Sequence, residues 1–190
     1  MTRAAIDRGL DAVALTAQAS KALSGKVAAL ATRYAQVLQS GGTLYFCGNG
    51  GSAADAQHIA AEYVVRYTGE RRPLAAVALT TDSSILTAAG NDLGFDQVFA
   101  RQVQALCTAK DLLVLHSTSG ESANLLAAAR VARKAGVPTV AFLGKGGGAL
   151  AAQVDEAVVI PSNETSLVQL MHLALQHLIV ESVEAELFGA

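Results

Sequence analysis

The run Thr43-Leu44-Tyr45-Phe46-Cys47, followed at once by Gly48-Asn49-Gly50-Gly51-Ser52-Ala53, joins a short apolar segment to a turn of small and polar residues. An apolar run of this length, bounded by glycine, reads as a strand covered on both faces. The same pattern returns at residues 75–79, 112–116, 139–143 and 157–160, giving five candidate strands with 43–47. Segments of helix-forming composition lie between them, including 53–67, 96–106 and 123–135, the last closed by Gly136 where a C-terminal cap belongs. Alternation of this kind predicts an α/β fold, doubly wound, with a five-stranded parallel sheet flanked by helices. Ahead of the sheet, residues 1–40 carry apolar positions at helical spacing and read as two helices. Behind it, residues 165–187 contain neither Gly nor Pro and read as one long helix.

The chain has 190 residues, enough for one such domain and short for two, and no Pro-rich linker or repeat divides it. Hydrophobic residues make up 52% and charged residues 16%, yet no stretch reaches the roughly 18 uninterrupted apolar residues that a membrane-spanning helix needs. The apolar excess predicts helix faces covered by other subunits, hence a homo-oligomer. Arg3, Asp7, Arg8 and Asp11 stand where a signal peptide would be apolar, so a cytoplasmic protein is expected. A net charge of -2 gives no electrostatic footprint for nucleic acid. Cys47 and Cys107 lack CxxC spacing and read as two buried thiols.

Ligands of doubly wound sheets bind where strand carboxyl ends meet helix N-termini, because backbone N–H groups and the helix dipole favour anions there. Three such junctions are rich in Gly or Ser. The loop 48–53 is not a dinucleotide fingerprint, since Ala53 stands where the third glycine belongs, and no Gly-Lys-Ser/Thr motif for nucleotide phosphates occurs. The loop Ser117-Thr118-Ser119-Gly120-Glu121-Ser122 offers four hydroxyls beside a helix start, more than a cap requires, which suits a phosphate monoester. The loop Gly144-Lys145-Gly146-Gly147-Gly148 lacks hydroxyls and reads as a mobile, permissive connection.

His58 and Glu62 are four apart and share a helix face. The C-terminal helix adds Gln169, His172, Gln176 and His177 among Leu, Val, Met and Ala, a density of polar groups that needs partners. Two imidazoles, a carboxylate and an amide oxygen would suit zinc or another divalent ion; a polar stripe at a subunit contact is the competing reading. By spacing alone His172, three residues after Gln169, is the favoured imidazole, because Gln169 and His177 are separated by about 12 Å of helix rise.

The run from Gly48 to Glu62, with Ala78-Leu79-Thr80-Thr81-Asp82, Asn91-Asp92, Ser117-Thr118-Ser119-Gly120, Ser122, and Gln169 with His177, resembles the bacterial phosphoheptose isomerases, members of the sugar isomerase (SIS) fold. The resemblance covers most of the chain from Gly41 onward and implies one SIS domain over 1–190, with 1–40 as an N-terminal helical oligomerisation segment. It implies an aldose-ketose isomerase that converts sedoheptulose 7-phosphate to a D-glycero-D-manno-heptose 7-phosphate, the first step of nucleotide-activated heptose synthesis for cell-surface glycans such as lipopolysaccharide. It further implies a homotetramer with sites at subunit interfaces and one Zn2+ per subunit held by His58, Glu62, Gln169 and His177, the last replacing His172. Glu62 and His177 become the catalytic base and acid. Asn49, Gly50, Ser52, Glu62, Asp92, Ser117, Thr118, Ser119, Ser122 and Gln169 become the substrate contacts.

Three positions depart from the pattern: Glu121 inside the phosphate loop, Leu167 where a basic residue is common, and the first forty residues. Arg66, one turn beyond Glu62, reads equally as a substrate contact or a surface ion pair. The rival function is a non-catalytic SIS sugar-phosphate-binding regulator or replication-initiator-associated protein. Retention of His58, Glu62, Gln169 and His177 together favours the enzyme.

Overall fold

In the computed structural model, which describes residues 2–189, five strands form one sheet: β1 (Leu44–Gly48), β2 (Ala76–Ala78), β3 (Leu112–Ser117), β4 (Thr139–Leu143) and β5 (Glu156–Val159). Their order is β2-β1-β3-β4-β5, and every pairing is parallel. The helices are α1 (Arg3–Ser20), α2 (Ser24–Gln39), α3 (Gly51–Val64), α4 (Ser83–Asp92), α5 (Val98–Leu106), α6 (Ala123–Lys134) and α7 (Thr165–Phe188). This is the doubly wound α/β architecture that the alternation of short apolar runs and helices predicts.

Every residue of β1, β3 and β4 is buried, which is why these strands read as continuous apolar runs rather than as alternating ones. Alternate side chains serve two cores. Phe46, Val114 and Phe142 pack with α2, α3 and α7 on one face, while Cys47, Leu115 and Leu143 pack with α5 and α6 on the other. Cys47 is a free thiol buried in the second core and pushed well above its usual range by burial. Cys107, also free, is only half-buried, unlike the expectation; burial, with Asp111 beside it, raises it to about 12.

Helix α4 occupies a segment in which the sequence suggests none. Ser83, Ser84 and Gly90 dilute its helical character, and its start rests on a single cap, the Asp82 carboxylate accepting the Ile85 N–H at 2.9 Å. The junction after β4 is not an open loop either: residues 145–147 and Ala149–Ala152 form two short 3-10 turns.

The strand order fixes where a cleft can form. From β1 the chain passes through α3 to β2 on one side, whereas β3 lies on the other side of β1. The loops leaving β1 and β3 therefore diverge, opening a crevice at their carboxyl ends.

Beneath that crevice the first core contains polar side chains. His116 of β3 and His172 and Gln176 of α7 are fully buried. Gln176 Nε2 lies 3.0 Å from His116 Nε2, and the His116 ring sits among Phe46, Phe142 and His172. Burial lowers His116 to about 3 and His172 to about 4, so both are neutral in the folded chain. The unfolded chain takes up these protons near pH 6.5, so the stability they contribute is complete above that pH and is lost as pH falls towards 4. Urea unfolding at pH 5 is expected to give a free energy lower than at pH 7 by about 2 kcal/mol for each histidine, with His116→Leu removing its share of the slope.

Candidate active site

Helix α3 starts directly after β1, and its first residue faces α7 where the two helices cross. A Cβ on Gly51 would lie 2.1 Å from Gln169 Nε2, so a side chain here would displace the Gln169 carboxamide. Two turns further along both helices, the crossing brings His58, Glu62 and His177 together. His58 Nε2 is 3.1 Å from Glu62 Oε1 and 3.3 Å from His177 Nε2, and one ligand-type atom from each residue lies within 4.8 Å of the others. His58 is exposed and the other two are half-buried, so the cluster opens to solvent. Burial and the neighbouring His58 lower the His177 pKa, while Glu62 opposes the shift.

His172, favoured by spacing, is not in this cluster: it points into the core towards His116 and Phe142. The reason is packing. Helix α7 carries apolar residues round most of its circumference, His172 lies on its buried stripe with Val168, Leu175 and Gln176, and which of its polar residues faces α3 is decided by the crossing rather than by the interval from Gln169. Gln169 itself stands beside Gly51 and close enough to Asp55 to favour its charged form. Asp55, one turn before His58, is buried, and burial outweighs Gln169 and His58 to raise it to about 6.

The phosphate-type loop lies across the crevice. Ser117 Oγ accepts from the Gly120 N–H at 3.0 Å and Ser119 Oγ from the Glu121 N–H at 3.2 Å, leaving both hydroxyl protons available to donate. Ser122 occupies the N-cap position of α6, but its side chain makes no capping bond. The Ser122 hydroxyl is thus not consumed as a helix cap, and α6 starts at the same junction. Thr118 is half-buried between them. Asn49 ties the two loops together: its amide and that of Asn124, in the first turn of α6, exchange hydrogen bonds of 2.9 and 2.8 Å. Gly50 is exposed with φ +56, and Ser52 is buried in the first turn of α3. Asp92, at the end of α4, lines a cavity of about 360 Å³ together with Ile85, Leu93 and Arg101.

Two positions have no local sequence signal. Tyr67 stacks on His177 with ring centroids 5.4 Å apart. Glu184, near the end of α7, holds the segment that carries Tyr67: its carboxylate accepts from the Tyr67, Thr68 and Gly69 amides and from Arg71 Nε at 2.6 Å. Arg71 donates in turn to the carbonyls of Glu62 and Tyr63, capping α3. Burial alone would raise Glu184, but the Tyr67 and Thr68 amides and then Arg71 outweigh it and hold the carboxyl at about 2. Arg66, by contrast, makes an exposed pair with Glu70.

An open parallel sheet with paired loops at its switch point places the chain in the SIS class, and its sequence matches the SIS domain over residues 10–144. It is 50% identical to a phosphoheptose isomerase of Bradyrhizobium sp. (strain BTAi1), with 98% of each chain covered, and 51% identical to one of Roseiflexus sp., with 85% of this chain and 82% of the relative covered. The solved structure of a phosphoheptose isomerase from Neisseria gonorrhoeae superposes with a TM-score of 0.91 at 38% identity, covering 96% of this chain and 98% of that one. One from Francisella tularensis gives 0.89 at 32%, covering 97% and 99%. The chain belongs to the phosphoheptose isomerase family.

The Arg71–Glu184 pair has both side chains almost wholly buried, so removing one partner strands the other. Arg71→Leu is expected to lower the unfolding free energy by about 3 kcal/mol in urea titration.

Proposed function

We propose that this chain is a cytoplasmic isomerase converting sedoheptulose 7-phosphate to D-glycero-D-manno-heptose 7-phosphate, the entry to nucleotide-activated heptose synthesis. The observation that carries the reading is the His58, Glu62, His177 cluster on the helix that follows β1, and the uncommitted hydroxyl-lined loop after the neighbouring strand β3 supports it. The phosphate of the sugar lies on Ser117, Thr118, Ser119, Ser122 and the first amides of α6. Asn49, Gly50 and Ser52 border the sugar chain.

Two imidazole nitrogens and a carboxylate oxygen facing one another fit a divalent first-row ion, and the site is read as holding one zinc on His58, Glu62 and His177, with Gln169 as the fourth ligand. When bound, zinc supplies Lewis-acid polarisation of the substrate carbonyl. The chain's own groups move the protons. Glu62 takes the proton from C1 of the ketose while His177 delivers one to the C2 oxygen, giving an enediol. Return of a proton to C2 and loss of one from the C1 oxygen complete the aldose. Tyr67, against the His177 ring, holds the acid in orientation.

Apolar surface that one chain leaves uncovered supports reading the protein as a homotetramer. Helix α1 exposes Ile6, Leu10 and Leu15, and α7 exposes Leu170 and Leu178 beside the site. Residues 1–40 serve in this reading as the oligomerisation segment, and Asp92 enters a cleft shared between subunits.

NMR of sedoheptulose 7-phosphate with the zinc-loaded protein, with metal analysis of the same sample, tests the proposal; no turnover would sink it. Glu62→Gln is expected to lower kcat by at least about 100-fold with an unchanged thermal midpoint. His177→Ala is expected to lose bound zinc, and His172→Leu to retain it, as read by metal content alone.

A further inference from the structure

Glu121 lies within the loop read as a phosphate site, where a free carboxylate would repel the ligand. Its side chain reaches the neighbouring junction: Oε1 accepts the Ala149 N–H at 2.8 Å. Beside it, the Leu150 N–H donates to the Gly120 carbonyl at 2.9 Å, and Leu150 is fully buried in the second core. The two backbones touch through glycines. A Cβ on Gly120 would lie 2.0 Å from the Gly147 carbonyl oxygen, one on Gly148 2.5 Å from the Ser119 oxygen, and one on Gly144 2.9 Å from the Thr118 oxygen. Gly120 and Gly148 also have φ of +69 and +57, which side-chain-bearing residues rarely adopt. Gly144 is wedged against Val168 in the first turn of α7 as well.

We propose that residues 144–150 are a fixed template for the phosphate loop, and that Glu121 is a positioning residue that joins the two. The glycines of this segment permit close approach rather than motion. The Ser117 and Ser119 oxygens and the first-turn amides of α6 are consequently arranged before the ligand arrives, so little ordering is left for binding to carry out. The Glu121 charge is engaged by the Ala149 amide instead of standing free in the loop. The inference rests on the reading of Ser117–Ser122 as the phosphate site.

The test uses the full-length, zinc-loaded protein and the variants Glu121→Ala and Glu121→Gln. Three quantities are measured at constant ionic strength: the Ala149 amide exchange rate, inhibition by inorganic phosphate, and KM and kcat for sedoheptulose 7-phosphate. Glu121→Ala is expected to speed Ala149 exchange and to raise KM and the phosphate inhibition constant about tenfold, with a much smaller change in kcat. Glu121→Gln keeps an acceptor oxygen and is expected to recover most of both effects. If both variants bind phosphate more tightly, the residue acts only as a repelling charge and the inference is overturned. Unchanged Ala149 exchange in Glu121→Ala overturns it independently of any ligand. A wild-type protein that binds neither inorganic phosphate nor the sugar phosphate refutes the reading of the loop, and the inference with it. That outcome differs from a wild type that binds while Glu121→Ala binds equally well.

Discussion

The candidate site depends on the crossing of α3 and α7. At Gly51 the backbone of α3 meets the Gln169 carboxamide of α7, and a side chain there would displace that carboxamide. Further along the same crossing, His58 and His177 stand 3.3 Å from each other, a separation that a small outward shift of α7 would abolish. The other end of the crossing is fixed by charge. Glu184 gathers three consecutive amides and Arg71, and Arg71 closes on the last carbonyls of α3. The triad is thus held between a steric contact at one end and a buried ion pair at the other.

The sheet supplies the second half of the site. Because β3 lies on the far side of β1 from β2, the loops leaving β1 and β3 part at the carboxyl edge, and the Asn49–Asn124 amide pair spans the gap. Loop 117–122 is backed by residues 144–150, and loop 48–53 runs straight into α3. No element of the crevice is a free-standing loop, which suits a reaction in which a proton must be transferred between fixed carbons.

Much of this was readable from sequence where the cause is local. Strands such as 112–116 declared themselves because a strand buried on both faces must be apolar throughout, and the hydroxyl-rich loop stood out by exceeding what a cap needs. Helix α4 did not, since its start relies on one aspartate and its interior contains Ser and Gly. His172 and His177 could not be ranked by spacing, because α7 is apolar almost all round and only the crossing decides which residue faces α3. Arg71 and Glu184 are 113 residues apart, and nothing in either neighbourhood announces the other. The glycines at 144–148 were misleading for a related reason: absence of a side chain permits motion and close packing alike, and only the neighbouring backbone distinguishes them.

The amide pair between Asn49 and Asn124 has a consequence of its own. Neither partner ionises, and the serines and backbone amides around the phosphate-type loop are equally uncharged, which leaves Glu121 as the one ionisable side chain of residues 117–122. The other half of the crevice includes Asp55, which burial raises to about 6, and His177, which burial lowers. One crevice therefore sets a grip made mainly of uncharged groups beside groups whose charge depends on acidity, and Glu121 is where the grip itself answers to pH.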